Sequence, residues 1–477
     1  MSVPDLKNNW FNNYKTASVQ LKKMSEVRGL ISAFNANIDA VIKISGSRIE
    51  ELITEFNFNQ KELVKEGERN IKKVEDVFRG LINCFTGGIA EEWLIQDKTT
   101  FDWLNEHLGY DKMQMGGQGG IVANVMGVCN VNNVYVHGAS IPKEQASLFL
   151  DCDNLLSVGK DGKLKKAANI SRVDDIPLIH WIIEFDKGDK MKIDGEVFIC
   201  PKSNRFIATY DPLNFQLHID DEFVKAMLKP EINNEYIILS GFQMLTEKFS
   251  DGTNGTDRID YSINIVQQWK QNNPDSILHF EIASTQDKVI RKYLLERLAP
   301  ISDSIGFNER ELIDILEVMG ENELAEDCNN NTSSSNLFKG MLKVFAYTNC
   351  PRLQLHMFGL YITLQKKGFK INPKQNRDGM QLAAVVAATK AGTGSINEHD
   401  KLLWAKDKKV SETGLNELSN LSDFLTAKFG DNDIKENGIF EINNMEIIAV
   451  PTIIIDKPIT LVGMGDTISS VSIVGAR

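Results

Sequence analysis

Short runs of branched apolar residues alternate along this chain with longer stretches whose apolar positions recur every three or four residues. The runs at 29–34, 134–137, 236–240, 277–282, 301–306, 353–358 and 447–455 read as strands. The stretches at 257–271, 286–298 and 308–319 read as helices. Strands alternating with helices predict an α/β fold around a mostly parallel sheet, which binds ligands at the carboxyl ends of its strands. Two segments break the rhythm. Residues 39–108 carry charged helical patterns at 50–56 and 61–78 with little strand character. Residues 161–210 hold four strand-like runs in succession, at 179–185, 190–193, 196–200 and 206–210. Both predict excursions that build a smaller α+β domain, a lid beside the sheet. The run 328–336, with Asn-Asn-Asn-Thr-Ser-Ser-Ser inside it, reads as an exposed loop.

Composition narrows the class. The 477 residues suffice for two or three domains, and 42% apolar content is ordinary for a globular protein. A net charge of −12 argues against nucleic acid or an anionic membrane as partner. Six scattered cysteines without a Cys-x-x-Cys pair fit free thiols in a reducing compartment. The first 23 residues are too polar for a signal peptide, and no apolar run reaches the roughly 20 residues of a membrane span. The expectation is a cytoplasmic protein, monomeric or a small homo-oligomer.

The polar motifs fall where such a sheet places chemistry. Near the C-terminus, a branched apolar run leads into Gly463-Met464-Gly465-Asp466 and then small residues that open a helix. Two glycines let backbone amides approach a ligand, and a helix start favours an anion. A carboxylate beside that anion site would be repelled unless it serves as a base; an ordinary strand turn is the alternative. Asn37 and Asp39, two apart after the first strand, form an amide–carboxylate pair that can grip vicinal hydroxyls, or else shape a turn. Gly116-Gly117-Gln118-Gly119-Gly120 enters a small apolar helix but matches neither a Walker A loop nor a dinucleotide fingerprint. His279 and Glu281 share a strand face, while Asn308 and Glu311 lie one turn apart at a helix start. Glu281 and Glu311 suit Mg²⁺; Asn308 with Glu311 also reads as a capping box, and the two readings are compatible. Arg205 offers a planar fork for phosphate or a plain surface charge. His180 is equally a candidate core histidine.

In collinear order, these motifs resemble the ADP-dependent sugar kinases of the ribokinase superfamily: Asn-x-Asn-x-Asp at 35–39, Gly-Gly-Gln-Gly-Gly at 116–120, Ile-His-x-Ile-x-Glu-Phe at 179–185, Asn-Arg-Phe-Ile at 204–207, His-x-Glu at 279–281, Asn-x-x-Glu at 308–311 and Val-Gly-Met-Gly-Asp-Thr-Ile-Ser at 462–469. The resemblance implies a three-layer α/β/α large domain (1–38, 116–160 and 211–477) and a lid (39–115 and 161–210). It implies Asp466 as base, Gly463 and Gly465 as anion hole, and Arg205 on a phosphate. Asn37, Asp39, Gly116, Gly117, Gln118 and His180 would surround the sugar. Glu281 and Glu311, with Asp466 as a third carboxylate, would hold Mg²⁺ beside ADP, the phosphoryl donor. Asn308, Val450 and Gly465 would line the nucleotide. Gly88-Ile89-Ala90-Glu91 resembles the family segment whose Glu bonds the glucose 2-hydroxyl, with Glu92 leaving the register open by one position. With Arg172, Lys187 and Lys190 as further lid cations, the expected enzyme is bifunctional on glucose and fructose 6-phosphate. An aspartate of ordinary pKa, about 3.9, would be ionised at pH 7 without tuning. The rival readings are an ATP-dependent kinase of the same superfamily and a non-catalytic sugar or nucleotide sensor.

Overall fold

The computed structural model describes residues 3–65, 67–249 and 251–477. Among them, eleven strands form one sheet. Seven run parallel, in the spatial order Arg352–Met357, Ser304–Phe307, Ile277–Glu281, Tyr236–Leu239, Leu30–Ala33, Val134–Val136 and Leu155–Val158. Antiparallel strands close both edges. All residues of Leu30–Ala33, Tyr236–Leu239 and Ile277–Glu281 are buried, as parallel strands must be when helices cover both faces of the sheet.

A second sheet has the order Asn70–Ile71, Glu91–Ile95, Asn204–Tyr210, Ile179–Phe185, Asn37–Lys43 and Lys112–Gly116. It has its own apolar core, separate from the large one, built on Ile38, Trp181, Ile183, Phe185, Phe206 and Trp93. These side chains alternate along their strands, so one face of the sheet is dry and the other is open. On the open face lie Asp39, His180, Thr209, Glu92, Gln114, Lys112 and Arg205.

The lid departs from expectation in three places. Strands Asn37–Lys43, Glu91–Ile95 and Lys112–Gly116 occupy a stretch expected to have little strand character. Apolar Val41 and Leu94 lie on the open face and Glu91 on the packed face, which blurs the period of two. The single helix expected over 61–78 is broken, and its Glu66 lies outside the described residues. A short helix, Gln60–Leu63, stops; Asn70–Ile71 joins the sheet; a new helix, Val74–Gly87, starts where Asp76 accepts from the amides of Lys72 and Lys73. The second excursion is shorter than 161–210. Leu164–Lys166 pairs with Leu155–Val158 of the large sheet, and Ala167 and Ile170 belong to the large core. The lid resumes at Ile179.

The expected loop at 328–336 is mostly helical. Helices Asn322–Asn330 and Ser334–Thr348 leave only 331–333 between them. Glu417, on a distant helix, accepts from the amide of Ser334 and its carbonyl from the Ser334 hydroxyl, which satisfies a helix start that local sequence could not.

Candidate active site

The chain crosses between the sheets near residues 36, 117, 178 and 211, and the crossings are stitched together. Asn214 donates to the carbonyl of Ala36 at 3.2 Å and to Asp211 at 2.7 Å. The carboxyl ends of the large-sheet strands point at the same place. There they deliver Glu281, Asn308 and His356.

Asn37 donates to Asp39 Oδ1 at 2.9 Å, so the pair expected to grip hydroxyls is formed and buried. In register, Asn37 lies opposite Gly116 and Asp39 opposite both Gln114 and His180. A Cβ on Gly116 would overlap Asp39 Oδ1, and Gly117 takes φ +73°, so the glycine pair is required by close approach and by backbone conformation. Burial raises the Asp39 carboxyl, with His180 and Asn37 opposing it.

His180 is ringed by carboxylates. Its Nε2 lies 3.1 Å from Asp211 and its Nδ1 3.7 Å from Glu92. Burial alone would lower its pKa, but Asp211, Glu92 and Asp39 outweigh burial and hold it at about 8. A folded-state pKa above the ordinary 6.5 stabilises the fold fully below pH 6.5, and that stabilisation is lost as pH rises through about 8. Thermal melts of wild type and His180→Gln should therefore differ most at pH 6 and converge by pH 9; a gap independent of pH would refute the charged histidine.

The structure sets the two candidate sugar carboxylates on opposite faces of the lid sheet. Glu91 pairs across the sheet with Phe206 and lies on the far side, 2.8 Å from Trp93 Nε1 and 3.2 Å from Arg69. A separate cavity of about 380 Å³ opens there, lined by Arg69, Asn83 and Trp93. Glu92 faces the cleft, accepting from Thr209 Oγ1 at 2.7 Å beside His180. One residue of strand register puts a side chain on the opposite face. One further expectation also fails. Arg172 is buried against Asp220 and the Val158 carbonyl within the large domain, so it is no lid cation. The Val450 side chain is fully enclosed in the core, which leaves only its backbone to face a nucleotide.

Arg205 lines a cleft of about 540 Å³ between the open lid face and the loop 458–462 that leads to the Gly463–Asp466 turn. Lys112 lines the same cleft and was not anticipated. Ile459 and Leu461 in that loop are 69% and 68% exposed, so the apolar run before Gly463 is cleft wall and not strand.

Gly463, at φ +61°, caps the helix Met464–Val474, whose first turn carries Asp466. Gln118, at the start of helix Gln118–Val128, hydrogen-bonds the Asp466 carboxylate and accepts from the Gly241 amide at 3.2 Å. The glycine-rich turn thus links the Asn37–Asp39 pair to Asp466. Asp466 is tuned, contrary to expectation: burial raises its pKa, while Lys390 and Gln118 act against that rise. Lys390 escaped sequence reading, although it is the only charge in the apolar run 380–391.

Behind Asp466, Asn308 and Glu311 form the expected capping box, at 3.0 and 2.8 Å. His279 Nε2 lies 3.1 Å from Glu281, and His356, also not anticipated, 3.5 Å from it. Gly306 leaves the room that the Glu281 carboxylate occupies. Burial pushes Glu281 up to about 7, with Asp466 adding to the rise. Burial, then Glu281, raises Glu311 well above the carboxylate range. Buried carboxylates that raise one another are what a hard cation would relieve. Among the described residues no three such groups are arranged to hold an ion directly.

A family model described as the ADP-specific phosphofructokinase/glucokinase conserved region matches residues 28–475. The chain belongs to this family. Its architecture is the ribokinase-like one, and it is an ADP-dependent sugar kinase. It is 28% identical over 450 residues to the ADP-specific phosphofructokinase of Methanosarcina acetivorans, covering 93% of this chain and 91% of that one. It is 30% identical over 474 residues to the ADP-dependent glucose/glucosamine kinase of Pyrococcus furiosus, covering 98% of each. Among solved structures, the last common ancestor of ADP-dependent phosphofructokinases from Methanosarcinales superposes with a TM-score of 0.87 at 32% identity, over 100% of this chain and 99% of that one. An ADP-dependent kinase complex with fructose-6-phosphate and ADPbetaS superposes at 0.82 with 30% identity, over 100% and 98%.

Proposed function

We propose that this kinase phosphorylates both glucose and fructose 6-phosphate, releasing AMP, with Asp466 taking the proton of the attacking hydroxyl. The observation that carries this reading is the link from Asp39 through Gly116 to Gln118 and Asp466. It sets a hydroxyl grip beside a base at the start of a helix. Phosphoryl transfer needs such positioning and charge neutralisation more than covalent help.

The cleft is electrically polarised. Asp39, Glu92 and Asp211 surround one cation at the hydroxyl end, which favours neutral hydroxyls and repels phosphate. Arg205 and Lys112 lie toward the other end, on the wall facing loop 458–462. A sugar phosphate therefore binds with its phosphate toward Arg205 and Lys112, while glucose relies on Glu92. Relatives named for each activity support the same breadth.

Glu281 and Glu311 fit a hydrated Mg²⁺ held mainly through water and the phosphates of ADP; the ion would neutralise phosphate charge there. No helix of the described residues is long and apolar enough to cross a membrane, and the six cysteines are free. A cytoplasmic setting belongs to this reading.

The test is AMP formation with ADP or ATP, with each sugar and with none, in the presence and absence of EDTA. Expected are AMP with ADP and either sugar, little turnover with ATP, and loss with EDTA that added Mg²⁺ restores. Turnover with ATP alone, or binding without turnover, overturns the reading; activity on one sugar only overturns its breadth.

A further inference from the structure

A carboxylate at an anion-binding helix start poses an electrostatic problem. Asp466 stands on the same turn whose amides would receive a phosphoryl group, and like charges at such range repel. The helix supplies only about half a positive charge at its N-terminus. Lys390 supplies the missing charge. It projects from helix Pro373–Thr393, which packs tightly on helix Met464–Val474 because Gly379 leaves no room for a Cβ against Ser472 and Ala476.

Its ammonium donates to the carbonyl of Gly463 at 3.1 Å and to Thr467 Oγ1 at 3.2 Å. Thr467 in turn donates to the same carbonyl at 2.8 Å. The three groups close a triangle across the turn, bracketing Gly465 and Asp466. Lys390 also lines a cavity of about 370 Å³ that shares Lys112, Gln114, Thr460 and Val462 with the sugar cleft. An ammonium has three protons, and two have partners here. Partial burial lowers the Lys390 pKa to about 8, with Asp466 opposing the fall.

We propose that Lys390 is a positioning residue for phosphoryl transfer, clamping the turn 463–467 so its amides stay aimed at the phosphate and offsetting the repulsion between that phosphate and Asp466. This rests on the kinase reading above. Lys390 acts through the turn and through Asp466, and needs no contact with the sugar. Its effect therefore falls on turnover and spares sugar and ADP binding.

The test compares wild type, Lys390→Met, Lys390→Ala and Thr467→Val in steady-state AMP formation, with thermal melts in parallel. Lys390→Met should lower kcat by about 10–100-fold, the scale of losing hydrogen bonds to a charged group, with both KM values near wild type. Thr467→Val, which removes one corner of the triangle, should show a smaller fall of the same kind. Added ethylammonium should restore part of the Lys390→Ala kcat in a saturable way, which a packing role would not produce. Unchanged kcat in Lys390→Met, a loss carried wholly by KM, or no rescue by ethylammonium overturns the proposal. Should Lys390→Met not fold, an unaffected Thr467→Val overturns it instead. A wild type that makes no AMP from ADP sinks the kinase reading, and this proposal with it.

Discussion

Asp466→Asn should turn over about 10²–10⁴ times more slowly than wild type, the range a positioned general base contributes, while both KM values hold. The amide keeps the size of the carboxylate and can still meet Gln118, so the helix start and its amides remain in place. What it loses is the ability to take a proton. Because burial raises Asp466, the acid limb of kcat should sit above the ordinary carboxylate range. The sign follows directly: activity needs the ionised form, so it falls as pH drops through the folded-state pKa, and this limb should vanish in the asparagine variant. Rates measured from pH 4 to 8 at saturating sugar and ADP check both points. A variant with near-wild-type kcat would remove Asp466 from the chemistry.

Glu92→Gln should cut kcat/KM for glucose by about 10–100-fold, the cost of losing a hydrogen bond to a charged group, and affect fructose 6-phosphate less. Glu91→Gln should leave both sugars close to wild type. The contrast is sharp because the two residues are neighbours of identical chemistry. Glu92 accepts from Thr209 and adds to the charge that keeps His180 protonated, on the open face. Glu91 is tied to Trp93 and Arg69 on the other side of the same strand. Glutamine retains size and most packing, so folding should survive in both. If Glu91→Gln were the variant that lost glucose, the strand would have the opposite register to the one observed.

Local chemistry is legible wherever a residue acts on its own neighbours. Asn308 and Glu311 satisfy each other within one helical turn, and the pattern alone predicts the cap. Asn37 and Asp39 share a strand face by period two, and the hydrogen bond between them follows. Six of the seven parallel strands of the large sheet stand out because burial on both faces demands unbroken apolar runs; the seventh, Leu155–Val158, went unread. The lid strands Asn37–Lys43, Glu91–Ile95 and Lys112–Gly116 escape the same reading because Val41 and Leu94 on the open face and Glu91 on the packed face blur their alternation.

Other features depend on partners far away in the chain. Glu417 starts a helix 83 residues before it, turning a serine-rich loop into ordered structure. Lys390 meets Gly463 across 73 residues, and nothing in its helix announces the contact. The choice between Glu91 and Glu92 required knowing which face of the lid sheet packs on Phe206 and Trp93, since adjacent strand residues are equivalent until one side is buried. The linear chain therefore carried the motif order, the parallel sheet and the family chemistry, because periodicity, caps and turns are short-range. The charge on His180, the tuning of Asp466 and the facing of Glu92 came from folding, because burial and Coulomb energy depend on distance in space and not along the chain.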